Sequence, residues 1–511
     1  MHYKQCIAYA VLLVLRALFS VSPSYIHPDE QLQSLQVVSQ YVFGWKAELP
    51  WEYTVERPIR SLVPLLITTF LPMEFVKTVF GASVKPTIVF HVCRLWMLLL
   101  SLCVDYCIWL LFPPKTRVRA LLGIGSTMMM LVYQTKTLSN SFEVILSLLA
   151  FVLFRRVSKK IQKEPSKTPS FDTIALCAVC TLGVFTRITF PAFLLPSALS
   201  ALRTWRQCLR PQHLLWFCSK LIFICLLFTT AYLFIDSYVY GKPVFTVWNN
   251  LMYNSQTGNL AQHGLHARWT HLLINVPLLC GPILAQPSLW NPMRSAWWYL
   301  MVPIALLSVF PHQEARFLLP ACVFFTAYAF SITHSKLLLV SSLIYHTFLS
   351  MFYGVLHQRG VVPTLSKLAD YYSSCSPLSE PGSAMSMYFW RVYTPPTWML
   401  KRTGHENVEV DTQHFVGYSR ERMEEILFKK FISTQSSRPK TVLECPPFLF
   451  ICPKVLLSNP EAWNLTLYDS VKIHYDLDDL DEVSLTDIIQ HSGIGIYKPM
   501  TLEATSNTDG A

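Results

Sequence analysis

Apolar runs of bilayer length recur along this chain, and they decide its fold class before any motif is considered. A helix needs about 20 apolar residues to cross a bilayer. Such stretches occupy 5–22, 88–112, 120–136, 141–156, 214–236, 270–286, 296–311, 315–333 and 336–353. A further stretch, 172–201, is interrupted at Thr186-Arg187-Ile188-Thr189, with Pro191 just beyond. Hydrocarbon offers no partner to a backbone amide, so runs of this kind must become helices. Charged residues make up 14% of the chain, against about 25% in soluble domains. The chain reads as an all-α polytopic membrane protein. Its first run carries Arg16 and lacks a clear small-residue cleavage site, which marks it as a retained span rather than a signal peptide.

Lys and Arg set the sidedness, because cytoplasmic loops collect them. The groups Lys115, Arg117 and Arg119; Arg155, Arg156, Lys159, Lys160, Lys163 and Lys167; and Arg203, Arg206 and Arg210 all belong on that side. Stretch 172–201 leaves from and returns to basic loops. It is therefore a hairpin of two short spans with Arg187 at the far turn. The same parity keeps 61–80 from crossing once. With Pro64, Pro72, Glu74 and Lys77, it fits a membrane-surface or re-entrant element. About eleven spans result, with a cytoplasmic N-terminus. The net charge of +11 suits loops over anionic lipid, and no basic stretch interleaved with aromatics suggests nucleic acid. Residues 1–353 form the membrane domain. Residues 354–511, more polar and with mixed strand-like and loop patterns, form a small α/β capping domain on the far side. Most of the fourteen cysteines, among them Cys103, Cys107, Cys177, Cys180, Cys218 and Cys225, lie in apolar runs as small hydrophobes rather than as metal ligands or disulfides.

This bookkeeping places every odd polar cluster on one face: 23–60, 137–143, Arg187, 237–269 and 311–316. The first holds Ile26-His27-Pro28-Asp29-Glu30, an acidic pair at the exit of a span, where ionisable groups point to function. An Asp beside a Pro also makes an ordinary helix cap. Leu32, Leu35, Val38 and Val42 recur at helical spacing beyond it, giving an amphipathic helix suited to a membrane surface. The segment from Asn249 to His266, with Asn250, Asn254, His263 and His266, is dense in amides and imidazoles that suit a polyhydroxyl ligand, or a solvated loop. His263 and His266 have no third metal ligand at supporting spacing. Asn140 and Glu143 sit at a helix start, while His312, Glu314 and Arg316 sit at a span end, where an interfacial ion pair is the plainer alternative. Asn464-Leu465-Thr466 is a glycosylation pattern. A single carboxylate can serve as general base for attack on a sugar carbon. A departing lipid phosphate would then need cations, for which His27, Arg187, His266, Arg268 and Arg316 are the candidates.

Taken together, His27-Pro28-Asp29-Glu30, Thr137-Leu138-Ser139-Asn140-Ser141-Phe142-Glu143, Asn249-Asn250-Leu251 with Gly264-Leu265-His266, His312-Gln313-Glu314-Ala315-Arg316-Phe317 and Leu356-His357-Gln358-Arg359-Gly360-Val361 resemble one family. It comprises the endoplasmic-reticulum mannosyltransferases that use dolichyl phosphate mannose, glycosyltransferase family 22. The likeness runs from about residue 5 to about 363. The Pro-His-Gln-Glu form is most similar to the fungal branch that adds the fourth mannose to glycosylphosphatidylinositol (GPI) precursors. The resemblance implies a GT-C fold and an inverting transfer that makes an α-1,2 linkage. It also implies a luminal site in the endoplasmic reticulum membrane, a GPI precursor glycolipid as acceptor, and neither metal nor cofactor. Asp29 is then the base and Glu30 the acceptor-binding or supporting acid. His27, Arg187, His266, Arg268 and Arg316 face the donor phosphate, while Asn140, Asn250, Asn254, His263, His312 and Glu314 face sugar. Where relatives often place a Glu after the acidic pair, this chain has Gln36.

Two other functions bear weighing. A sister enzyme would add the third GPI mannose or a mannose of the lipid-linked N-glycan precursor. A polytopic transporter or flippase would show paired half-repeats and mid-membrane charges, and this chain shows no repeat.

Overall fold

A computed structural model describes residues 2–53, 56–165, 170–256, 258–259, 264–404, 406–434, 444–457, 459–476 and 483–500. The chain divides into two compact units. The first holds Met1–Val21, Leu49–Gly81 and Val89–Ser350; the second holds Ser22–Glu48, Ala82–Ile88 and the chain from Met351 onward. The segment of the acidic pair thus belongs with the C-terminal residues, a grouping that the boundary at 353 does not express.

The first unit is helical throughout: α1 (Tyr3–Val21), α2 (Val63–Phe80), α3 (Pro86–Leu111), α4 (Arg117–Gly125), α5 (Ser139–Lys163), α6 (Ser170–Thr186), α7 (Phe190–Cys208), α8 (Pro211–Tyr240), α9 (Thr246–Asn254), α10 (His271–Ala285), α11 (Ser295–Leu307), α12 (Ala315–Ile332) and α13 (Lys336–Leu356). Among the described residues, six of these (α1, α2, α3, α8, α12 and α13) are long and apolar enough to cross a membrane. Met128–Thr135 with α5 makes a seventh if that bent pair is one span, and α10, α11 and Phe171–Thr186 are shorter apolar helices. An apolar surface all round, as on α8, suits lipid rather than water.

Two expectations change. Stretch 120–136 is not one span. Helix α4 stops at Gly125, a single turn follows at Met128–Leu131, and the chain bends by 115° before α5. The small residues Gly123, Gly125 and Ser126 end the helix, and Gly123 also lets α12 approach, since a Cβ there would lie 2.3 Å from the Phe330 ring. Stretch 31–43, expected as an amphipathic surface helix, is instead a π-turn (Gln31–Leu35) running into a helix (Gln36–Phe43). It buries Gln31, Gln33, Gln36 and Ser39 along with Leu35, Val37, Val38 and Val42. Gln36 donates to the Glu48 carbonyl at 2.6 Å, and the half-buried Gln40 to that of Ala47.

The 172–201 hairpin is present as α6 and α7. Helix α2 has the length and apolar character of a span, where the sequence suggested a membrane-surface or re-entrant element. Its leading loop is anchored firmly. Asp236 of α8 accepts from the Ser61 hydroxyl (3.1 Å) and the Leu62 amide (2.9 Å), and Thr246 donates to its other oxygen.

Inside the helices lies a buried ion pair. Arg16 of α1 grips Asp105 of α3 through two nitrogens, at 2.9 and 3.2 Å, and Tyr9 donates to the same carboxylate at 2.7 Å. A charge in hydrocarbon is tolerated only when paired, so this contact couples α1 to α3.

The second unit holds a five-stranded sheet of order β2-β1-β3-β5-β4, with β1 (Ser383–Trp390), β2 (Val408–Phe415), β3 (Phe448–Pro453), β4 (Leu465–Val471) and β5 (Ile494–Pro499). Strand β1 runs parallel to β2 and β3, while β5 is antiparallel to β3 and β4. The crossover from β2 to β3 carries helix Arg420–Thr434, as parallel strands require. Trp390, Phe450 and Trp463 stack in its core. Cys375 is disulfide-bonded to Cys445 across 70 residues, a pairing the cysteine pattern left unseen. Closing a loop of that length stabilises the fold by roughly 4 kcal/mol.

Candidate active site

Chain chemistry shapes the acidic turn in the second unit. Pro28 ends the extended run from α1, and the chain turns immediately. The Glu30 amide donates to the His27 carbonyl, and the Gln31 and Leu32 amides both donate to that of Pro28. Tyr25 fastens the turn from below: its hydroxyl donates to the carbonyls of Pro28 (3.2 Å) and Thr394 (3.1 Å), and its amide to that of His357 (3.3 Å). The His357-Gln358 motif thereby supports the acidic turn from more than 300 residues away. His27 Nδ1 accepts from the Asp29 amide at 3.1 Å and lies 3.6 Å from the Asp29 carboxylate.

The two acids part company here. The Asp29 side chain is 23% exposed, whereas Glu30 is fully buried, with Gln31 donating to its carboxylate at 3.4 Å. Adjacent residues at the first turn of a helix point about 100° apart, so one can face a ligand while the other faces the protein.

The first unit gathers a second polar locus from four segments. Glu143, one turn into α5, is fully buried; Arg187, just past α6, approaches it with Nε at 3.4 Å and donates to Ser139 at 3.2 Å. Thr189 donates to the other Glu143 oxygen at 3.1 Å. The capping position of α5 is Leu138, with no side-chain cap, so the Ser139-to-Glu143 run is not a helix cap. Asn140 is buried beside it. Arg187 and Arg316 both lie against the Phe317 ring, 4.9 and 5.4 Å from its centre. Arg316 is held by Glu314 as a bidentate pair.

His312 links this locus to the preceding loop. Its Nε2 lies 2.8 Å from Glu314 and its Nδ1 3.0 Å from the Gly264 carbonyl. The Gly264 carbonyl can only accept, and so can the Glu314 carboxylate when ionised, an arrangement that favours the doubly protonated ring. Burial opposes that charge, but the Glu314 carboxylate and the Gly264 carbonyl outweigh it and raise the pKa above the usual histidine value.

Several candidates have structural duties. Arg268 donates to the carbonyls of Ser308 (3.3 Å) and Val309, capping the end of α11, where a cation opposes the negative end of the helix. His266 accepts from the Gln313 amide at 3.3 Å. Asn249 donates to the Pro58 carbonyl and Asn250 to the Ile59 carbonyl, both at 3.0 Å, binding the 58–60 loop to α9, while Asn254 donates to Asn250 within the helix. His263 lies outside the described residues. Asn464 is exposed in a left-handed turn before β4, accessible to a modifying enzyme.

Sequence reasoning passed over Arg94 and Lys136, both fully buried in the first unit. Arg94 lies over the Phe90 ring at 4.1 Å, and Lys136 is 3.5 Å from the Phe19 carbonyl. Each is a single basic residue in or beside an apolar run, and that was itself the available signal.

A multi-span helical body with a small mixed sheet is the fold of the GT-C class of membrane glycosyltransferases. Residues 7–402 match the Alg9-like mannosyltransferase family, and the chain belongs to it. Among its relatives, GPI mannosyltransferase 4 of Schizosaccharomyces pombe is 37% identical over 97% of this chain and 95% of its own length. The protein of that name from Emericella nidulans is 34% identical, over 96% and 97%. ArnT from Cupriavidus metallidurans, solved bound to undecaprenyl phosphate, superposes over 97% of this chain and 98% of its own with a TM-score of 0.53 and 11% identity, which shows a shared fold.

Proposed function

We propose that this mannosyltransferase moves mannose from dolichyl phosphate mannose onto the third mannose of a GPI precursor in the endoplasmic reticulum lumen. The observation that carries the chemistry is the contrast between a partly exposed Asp29 and a fully buried Glu30 in one pinned turn. Asp29 takes the proton from the acceptor 2-hydroxyl as that oxygen attacks the donor anomeric carbon. The bond to the phosphate oxygen breaks with its electron pair, dolichyl phosphate leaves, and the anomeric centre inverts. Glu30 positions the turn or the acceptor. A phosphate dianion leaving in a low-dielectric site needs preorganised positive charge, for which Arg187, Arg316 and the His312 imidazolium are suited. Each residue acts as base, cation or hydrogen-bond partner, and the reaction as written needs no cofactor.

The acceptor rests on the relatives named GPI mannosyltransferase 4. The luminal side rests on the Lys and Arg distribution and on the Cys375–Cys445 disulfide, since such bonds persist in oxidising compartments. Depleting the protein and identifying the lipid that accumulates tests the reading. A GPI precursor bearing three mannoses is the expected result; a truncated dolichol-linked oligosaccharide would assign the chain to a sister step instead.

A further inference from the structure

The loop that leads into α2 carries an exposed tryptophan on a rigid mount. Trp51 is 43% exposed, and its ring packs on that of Tyr253 from α9, with centroids 4.6 Å apart and planes tilted by 35°. Next to it in the chain, Glu52 pairs with Arg60, whose Nε and Nη2 donate to Oε1 at 3.0 and 2.8 Å. The side chains of Arg60 and Glu52 are only 17% and 13% exposed. All four residues lie in the first unit.

The mount is built from main-chain bonds. Trp51–Tyr53 is a single tight turn, closed where the Tyr53 amide donates to the Pro50 carbonyl at 2.9 Å, and the Ile59 amide returns to the Glu52 carbonyl at 2.9 Å. Asn249 and Asn250 of α9 hold the Pro58 and Ile59 carbonyls, and the Tyr240 hydroxyl at the end of α8 donates to that of Arg60 at 2.9 Å. Helix α9 therefore supplies both the Tyr253 ring and two clamps on the loop that bears Trp51. Rings and charges fixed in advance lose little freedom when a ligand arrives. The Arg60 charge is also felt at Glu143, the partner of Arg187, so the aromatic pair belongs with the polar locus of this unit.

A pyranose ring has an apolar C–H face and a rim of hydroxyls. An aromatic surface suits the face, and a carboxylate beside a guanidinium offers acceptors and donors to the rim. We propose that Trp51 and Tyr253 seat a mannose ring of the acceptor glycan, with Glu52 and Arg60 bonding its hydroxyls. The inference rests on the glycan acceptor proposed above. The donor mannose is joined directly to a phosphate, so charge places it. The mannose rings of the acceptor are neutral, and stacking and hydroxyl contacts must place them. Trp and Tyr also gather where a protein meets lipid headgroups, but a headgroup anchor has no use for a mostly buried ion pair at its side.

The test uses the full-length protein in lipid nanodiscs, with dolichyl phosphate mannose and a GPI precursor bearing three mannoses. Trp51→Ala should raise the acceptor KM by about tenfold and leave the donor KM unchanged. Trp51→Phe should recover most of that loss, whereas Trp51→Leu, apolar but without a ring face, should not. An unchanged acceptor KM would overturn the proposal, and so would an equal rise in the donor KM. Rescue by Leu as complete as by Phe would make Trp51 a lipid anchor instead. A second measurement needs no variant: photolysis of the wild type with an acceptor bearing diazirines on its mannoses. Adducts should fall in peptides containing Trp51 or Tyr253, and adducts only elsewhere would overturn the platform. Wild-type transfer separates the two readings. Transfer to the GPI precursor without those adducts removes the platform alone, whereas transfer only to a dolichol-linked oligosaccharide removes the proposed acceptor and the platform's role toward it.

Discussion

Arg187 and Glu143 meet with Nε and Oε2 3.4 Å apart, joining the turn after α6 to the first turn of α5. Both side chains are almost wholly buried, so neither can lose the other without leaving an uncompensated charge. Breaking a buried pair from one side costs about 3–5 kcal/mol. Arg187→Ala should lower both the yield of folded protein and donor use. Glu143→Gln keeps the shape and the hydrogen bond from Thr189, and should therefore fold better than Arg187→Ala. Expression level and donor KM, measured on both variants, check this; equal donor KM for wild type and Arg187→Ala would remove Arg187 from the phosphate site.

Asp29 and Glu30 should respond differently to amidation. Asp29→Asn removes the base and leaves the turn intact, so transfer should fall by about 10²–10⁴-fold at normal protein level. Glu30→Gln alters a buried group and should reduce thermal stability along with activity. Paired measurements of mannose transfer and melting temperature distinguish them. An Asp29→Asn enzyme with more than a tenth of wild-type activity would contradict the assignment.

The Arg16–Asp105 pair predicts an assembly defect rather than a kinetic one. Asp105→Ala strands a guanidinium inside the helices and should destabilise by about 3–5 kcal/mol, visible as a lower steady-state level. The double variant Arg16→Met/Asp105→Leu removes both charges and should recover much of that loss. A double variant no better than the single one would show that packing, not charge, dominates there.

Low pH should loosen the second unit. Burial holds His357 down at about 4, and burial, with the neighbouring His357, holds His474 at about 3. Both fold as neutral rings, and the unfolded chain binds their protons near pH 6.5. Stability from this source is complete above about 6.5 and is lost as pH falls toward those folded values, because the unfolded state then takes up more protons. Melting temperature against pH should decline below about 6.5, and His474→Gln should flatten that decline.

Much of this was legible in the order of residues. Hydropathy located most of the long apolar helices, and counting Lys and Arg put Arg187 at the turn between α6 and α7. It failed at 120–136, where hydropathy averages over Gly123 to Thr127 and cannot see the bend that follows. Local periodicity also mistook 31–43 for a surface helix, because an alternation of Gln with apolar residues reads the same whether the glutamines meet water or main chain. The amides of Asn250 and Asn254 had the composition of a sugar site, and only the fold revealed that Asn250 also holds the 58–60 loop while Asn254 bonds to Asn250.

The sequence by itself determined that this is a helical protein with several membrane-length apolar runs and an acidic turn after the first of them. Those properties follow from transfer free energies and charge, which depend on residues within one helix length. Tertiary structure decided which of two adjacent acids stays accessible. It also decided which arginines reach Phe317, and that Cys375 finds Cys445. Such outcomes depend on contacts across tens to hundreds of residues, where burial and partner geometry, not local pattern, set the energy.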